Sequence, residues 1–199
     1  MFGWLEQFVT HDVARFGLWA VYVTMSLESA CIPIPSEIVM PYAGMLVAKG
    51  SYTLWQVGLV ASFANLTGSV IAYSVGRYGG RTFIERYGKY IFLSRKHLAM
   101  ADRWFATRGD VTVLASRMLP AVRTFISLPA GIARMNFLRF CIYSFLGALP
   151  WNLALAYVGI VFTDNWDLMK LYIHKFNLVA YVVMALAVVT FFIWKRRKK

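Results

Sequence analysis

Charge is what this chain of 199 residues has least of: Asp, Glu, Lys and Arg make up 15% of it, where a soluble domain carries about 25%. Hydrophobic types make up 59% and the mean hydropathy is +0.57, so most of the apolar surface must face something other than water. The chain therefore reads as a one-domain integral membrane protein. Acids are scarcest, 9 against 21 Lys and Arg, for a net charge of +12. A balance that basic raises nucleic acid as a partner, but no stretch is long and polar enough to build a soluble basic surface, and that class is excluded. Cysteine is nearly missing: Cys31 and Cys141, both in apolar runs, supply neither a disulfide framework nor a metal-ligand set. His11, His97 and His174 are scattered, with no carboxylate or cysteine at ligand spacing, so neither metal nor cofactor is expected. H-E-x-x-H, G-x-S-x-G and the P-loop are all missing, which argues against an enzyme.

What is present is a series of apolar stretches. Residues 1–17 carry acids and no basic leader region, and read as an amphipathic helix at the membrane interface rather than a removable signal peptide. Residues 18–48 are long and apolar enough to cross a bilayer, yet Glu28, Pro33, Pro35, Glu37 and Pro41 interrupt them. Proline removes a backbone donor and disfavours helix in the residue before it, so Cys31 to Ser36 is not continuous helix. Residues 54–76 carry no charge and have the length of a spanning helix. Small residues at Ala61, Ala64, Gly68, Ala72 and Gly76, three and four apart, allow another backbone to come close.

Residues 77–110 hold eight Lys and Arg against three acids, interleaved with aromatics, as in a segment lying among lipid headgroups. Residues 111–133 form the second interrupted stretch. Arg117 and Arg123 bracket Pro120, with Pro129 and Gly131 expected as further breaks. Residues 137–162, and a last helix within 163–199 before the KRRKK end, complete about three spans. Most tryptophans, Trp151 counted among them, fall near expected span ends and fit the interfacial belt.

Basic residues favour the cytoplasmic face. Placing 77–110, Arg134, Arg139 and the C-terminus there makes the spans alternate only if 18–48 and 111–133 are re-entrant hairpins dipping in from opposite faces. The expectation is an all-α membrane protein with two broken-helix hairpins, about three spans and an inverted repeat.

Summed by segment, the two interrupted stretches hold Glu28, Glu37, Arg117 and Arg123, which cancel, so the entire +12 sits elsewhere. An ionisable residue at the centre of a membrane helix is unfavourable by ~2.5–3.5 kcal/mol on insertion scales. Four of them call for pairing, or for a cavity where the freed backbone of the helix breaks is also satisfied. Arginine grips phosphate through two parallel hydrogen bonds, so Arg117 and Arg123 are candidates to converge on one anionic headgroup, with the glutamates as counter-charges or proton carriers. Asn65, Asn152, Ser69 and Tyr73 are candidates to line a path or to bond between helices.

These residues also carry a family resemblance. The run C-I-P-I-P-S-E ending at Glu37, the motif Tyr73-x-x-Gly76-Arg77-x-x-Gly80 and the hairpin Arg117-x-x-Pro120-x-x-Arg123 followed by Pro129-Ala130-Gly131 resemble the DedA family of bacterial membrane proteins, which shares the VTT domain. The resemblance implies that Glu28, Glu37, Arg117 and Arg123 are required for activity and that lipid transport depends on protons. It also implies the bacterial cytoplasmic membrane and, from the short C-I-P-I-P-S-E form, the branch that recycles undecaprenyl phosphate for cell-wall synthesis. Ser69 stands where many members carry an acid, a departure that bears on ion coupling at that point.

A phospholipid such as phosphatidylethanolamine remains an alternative substrate, a proton-coupled small-solute antiporter an alternative transporter, and an assembly factor the structural class. Three spans enclose little space in one copy, which leaves a homodimer open.

Overall fold

The computed structural model describes residues 15–32, 34, 36–80 and 95–164, with the backbone alone at 95–101, 120 and 121. Most of the expected interfacial helix, residues 81–94 of the basic segment, the last span with its basic tail, and Pro33 and Pro35 lie outside these residues. Among the described residues all regular structure is helical: α1 (Leu18–Ser29), α2 (Ser36–Ala48), α3 (Leu54–Val75), which continues into a π-helical turn (Gly76–Gly80), α4 (Arg95–Ser116), α5 (Pro120–Phe125), α6 (Ser127–Ile132) and α7 (Phe137–Val161).

The helix ends follow from local chemistry. Thr53 caps α3 by a reciprocal pair, its hydroxyl accepting from the Gln56 backbone while the Gln56 side chain accepts from the Thr53 backbone. Asn136 caps α7 by accepting from the Arg139 N–H. α1, α2 and α6 each stop in a turn whose hinge residue is left-handed: Cys31 (φ 70°), Gly50 (φ 79°) and Arg134 (φ 52°). In each, the following N–H reaches back to the third-last helical carbonyl, Ile32 to Leu27, Ser51 to Leu46 and Met135 to Ala130. α4 stops short of Leu119, whose extended backbone (ψ 115°) is what the following Pro120 requires; Pro120 then opens α5 at the position where a missing N–H does no harm.

The first expected break is therefore present, since α1 ends at Ser29 and α2 begins at Ser36. The second is present too, beside Pro120 as expected. It lies between Ser116 and Pro120, and α4 runs unbroken across residues 110 and 111, where the sequence reading divides a basic surface segment from a hairpin. Gly109 is the one glycine of α4, and one glycine, at roughly 1 kcal/mol, does not end a helix of this length. Pro129 and Gly131, expected as breaks, lie inside α6. Pro129 stands in the first turn, where no carbonyl of the same helix awaits its N–H. Pro41 and Pro150 are likewise carried within α2 and α7.

The distribution of side chains is the reverse of a soluble bundle. The inner face of α3 is small and polar: Gly58, Ala61, Ser62, Asn65, Gly68, Ser69 and Ala72 are buried. Its outer face, four residues apart, shows Trp55, Leu59, Phe63, Ile71 and Val75, and α1 likewise exposes Trp19, Val23 and Leu27. Trp19 is 75% exposed. Large apolar side chains turned outward at helical spacing need a lipid solvent. Among the described residues two helices, Leu54–Gly80 and Phe137–Val161, are long and apolar enough to cross a membrane.

α1 packs on α3, α2 on α7, and α6 on α3 and its π-turn, with α3 against α7 at the centre. Backbone contact between these pairs depends on glycine. A methyl group on Gly44 would overlap the Ala156 carbonyl and one on Gly159 the Pro41 carbonyl, joining α2 to α7. In the same manner Gly131 faces the Tyr73 carbonyl and Gly76 the Leu128 carbonyl, joining α6 to α3. α2 thus lies against α7, and α6 against α3.

Candidate functional site

The two breaks meet. Cys31, in the turn after α1, donates its thiol to the Thr124 carbonyl of α5 at 3.4 Å, which holds the end of α1 against α5. Around this junction the structure gathers all four charged residues singled out from sequence. Arg117 (3% exposed), Arg123 (5%) and Glu28 (7%) are buried, and the Glu37 side chain is 12% exposed.

They are not shared evenly. Arg123, near the end of α5, donates from Nη2 to Glu28 Oε1 at 2.6 Å and to the Ser36 hydroxyl, and the same nitrogen lies 3.9 Å from Glu37 Oε1. One guanidinium therefore holds both carboxylates, and ties the C-terminal turn of α1 and the N-terminal turn of α2 to the second hairpin. Glu37 in the first turn of α2 also faces the positive end of that helix. The Arg123 guanidinium carbon lies 5.6 Å from the centre of the Trp151 ring on α7, within cation–π range.

Arg117 has no carboxylate within salt-bridge distance among the described residues. Three hydroxyls from three helices surround its Nη2 within hydrogen-bond distance and share its two hydrogens, Ser69 of α3 at 2.8 Å, Ser127 of α6 at 3.2 Å and Ser144 of α7 at 3.1 Å. Its Nη1 donates to the Arg123 carbonyl at 3.3 Å. Gly147 on α7 makes room for the base of this side chain, since a Cβ there would stand 2.8 Å from Arg117 Cβ. Dipoles hold Arg117 in place without cancelling its charge. Two further donors on these guanidiniums, Arg117 Nε and Arg123 Nε, are buried with no acceptor among the described residues, and the same holds for Trp151 Nε1.

Below this junction a polar chain crosses the bundle. Ser29 Oγ donates to Asn65 Oδ1 at 3.0 Å, Asn65 Nδ2 lies 3.4 Å from Asn152 Oδ1, and Asn152 Nδ2 donates to Ser62 Oγ at 3.1 Å. Asn65 and Asn152 are thus bonded between helices. Ser69 donates to the Asn65 carbonyl while accepting from Arg117, so a hydroxyl serves as a partner of the arginine. Tyr73 does not join this cluster. Its hydroxyl donates to the Met135 carbonyl and accepts from Arg77 at 3.0 Å, and its ring stacks on Phe140 at 4.7 Å, which makes it a packing residue of the α3, α6 and α7 junction.

Ser36, Ser127, Ser144 and Trp151 belong to the site and are not singled out by the sequence pattern. Serine in a membrane helix is common glue between helices and carries no charge to flag it. Trp151 had a readable signal: it lies well inside α7, between Pro150 and Asn152, and not at a span end where belt tryptophans sit.

The VTT domain profile matches residues 34–161, which contain Glu37, both arginines and the whole of α3 and α7. The chain is 39% identical over 172 residues to undecaprenyl phosphate transporter A of Bacillus subtilis, covering 82% of this chain and 83% of that protein. It is 32% identical over 201 residues to undecaprenyl phosphate transporter A of Staphylococcus aureus, covering 98% and 99%. It is also 28% identical over 187 residues to a protein of Lactococcus lactis named alkaline phosphatase-like protein, covering 92% and 87%. No solved structure matches the chain. From the profile match and these relatives, the chain belongs to the VTT domain family, the DedA family of membrane proteins.

Proposed function

We propose that this protein is a transporter that moves a phosphate-headed lipid across the bacterial cytoplasmic membrane, and that the lipid is undecaprenyl phosphate. The observation that carries the reading is the unequal division of buried charge. Arg123 is occupied by Glu28 and Glu37, while Arg117 keeps an uncancelled positive charge among hydroxyls. A monoester phosphate, with up to two charges and three acceptor oxygens, matches Arg117 first and Arg123 second. Glu28 and Glu37 are then the counter-charge and proton sites: protonating them loosens their hold on Arg123 and frees its guanidinium for the phosphate. The names of the two transporter relatives support the choice of lipid.

For the architecture we read α1–α2 and α4–α6 as re-entrant hairpins from opposite faces, and α3 and α7 as inverted-repeat equivalents. The paired glycine contacts support this, Pro41 and Gly44 corresponding to Leu128 and Gly131, and Tyr73 and Gly76 to Ala156 and Gly159. The basic segments and the C-terminus lie on the cytoplasmic side, as the charge distribution favours.

The test is lipid competition in proteoliposomes, following translocation of a fluorescent prenyl phosphate. Undecaprenyl phosphate competes at a concentration about tenfold lower than phosphatidylethanolamine or phosphatidylglycerol if the arginines prefer a monoester, a difference of ~1.4 kcal/mol. Equal competition by the three lipids contradicts the choice of substrate. Release of inorganic phosphate in place of translocation contradicts transport and favours a phosphatase.

A further inference from the structure

Trp151 has no part in the reading above, yet its position is unusual for a membrane tryptophan. The side chain sits within α7 and its indole N–H is buried with no acceptor among the described residues. A buried donor left without a partner keeps its full desolvation penalty. In lipid no water relieves that penalty.

The same shortage recurs beside it. Arg117 Nε and Arg123 Nε are buried and unpartnered, each on a side chain more than nine-tenths buried. The three groups are neighbours. Ser144, Gly147 and Trp151 lie three and four residues apart and therefore on one face of α7. Arg117 bonds to the first and packs its base over the second. Arg123 lies 5.6 Å from the ring of the third, and its carbonyl accepts from Arg117 Nη1. Every orphan here is a donor, so what would satisfy the group is an acceptor-rich anion rather than a cation or an apolar tail.

We propose that Trp151 is part of the anion site: its indole N–H is a third donor to the phosphate, acting with the Nε–H groups of Arg117 and Arg123, while its ring faces the Arg123 guanidinium. The inference rests on the phosphate reading of the two arginines and adds to it a neutral, directional contact. A hydrogen bond from the indole orients a phosphate oxygen at a fixed point of the span without adding charge to a membrane interior where the four buried charges already cancel.

Trp151→Phe is the discriminating variant, because it keeps a ring facing Arg123 and removes the N–H. The full chain in nanodiscs is titrated with a short-chain prenyl monophosphate, and with inorganic phosphate to separate headgroup from tail. Trp151→Phe is expected to weaken binding of both probes about tenfold, ~1.4 kcal/mol. In protein carrying ¹⁵N-labelled tryptophan, the indole resonance missing from Trp151→Phe is expected to move as phosphate is added to the wild type, a response that a purely structural tryptophan lacks. Unchanged affinity in Trp151→Phe, with binding lost in Arg117→Gln, overturns the role of Trp151 and leaves the arginine reading standing. Binding unchanged in both variants overturns both. Should Trp151→Phe fail to fold, Trp151→Tyr identifies the resonance by its absence, and a wild-type resonance unmoved by saturating phosphate overturns the proposal.

Discussion

If Arg123 holds both carboxylates, Glu28 and Arg123 must be energetically coupled, and the structure bounds the coupling. In an effective dielectric of about 20, the Coulomb attractions across 2.6 Å and 3.9 Å are about 6 and 4 kcal/mol, most of it offset by the desolvation of burying the ions. Removing one member of a buried pair generally leaves a loss of ~3–5 kcal/mol. Glu28→Gln falls below that range, at ~2 kcal/mol, because the amide still offers an acceptor oxygen and Glu37 still faces the guanidinium. Arg123→Gln leaves Glu28 and Glu37 near one another without a cation and belongs at ~4 kcal/mol. The double variant removes one charge of each sign, so its loss falls short of the sum by ~1.5–3 kcal/mol. Reversible unfolding in mixed micelles measures the four proteins of this cycle. Losses that add within ~0.5 kcal/mol would refute the pairing and the view that Arg123 ties the hairpins together.

The remaining predictions concern the architecture. Gly44→Ala and Gly131→Ala each push a methyl group into a carbonyl of the opposing helix and each cost about 1–3 kcal/mol by overpacking, with similar losses if the two hairpins are repeat equivalents. Losses differing by more than that whole range would argue against the repeat. With Cys31 and Cys141 replaced by serine, a membrane-impermeant thiol reagent labels Gly50→Cys from outside the cell and Arg134→Cys from the cytoplasmic side. Labelling of both from one face would contradict the opposed hairpins.

The sequence exposes the site's charges more readily than its geometry. Glu28, Glu37, Arg117 and Arg123 stand out because ionisable residues in apolar runs are unfavourable enough to need a reason, and the structure does bring them together. Which arginine takes the carboxylates is not legible. Spacing along the chain says nothing of distances between breaks on different hairpins, and the division depends on Ser36, Ser127 and Ser144, hydroxyls that look the same in sequence as those of any membrane helix. The proline signals divide in the same manner. Pro120 opens a helix, as expected beside a break, whereas Pro129 is absorbed into the first turn of α6 and Gly131 serves close approach to α3. Trp151 was open to recognition from its depth in the span; its buried N–H needed the fold.

The central claim is that Arg117 keeps a positive charge that no carboxylate claims and that phosphate takes up. Arg117→Gln tests it most directly, because its removal strands no buried carboxylate and the three serines can turn to carbonyls of their own helices. The measurement is translocation of a fluorescent prenyl phosphate in proteoliposomes holding equal amounts of wild type and variant. The account predicts a rate lowered by at least about tenfold, ~1.4 kcal/mol, in a variant that inserts and unfolds as the wild type does. Translocation at the wild-type rate by that stable variant would contradict it.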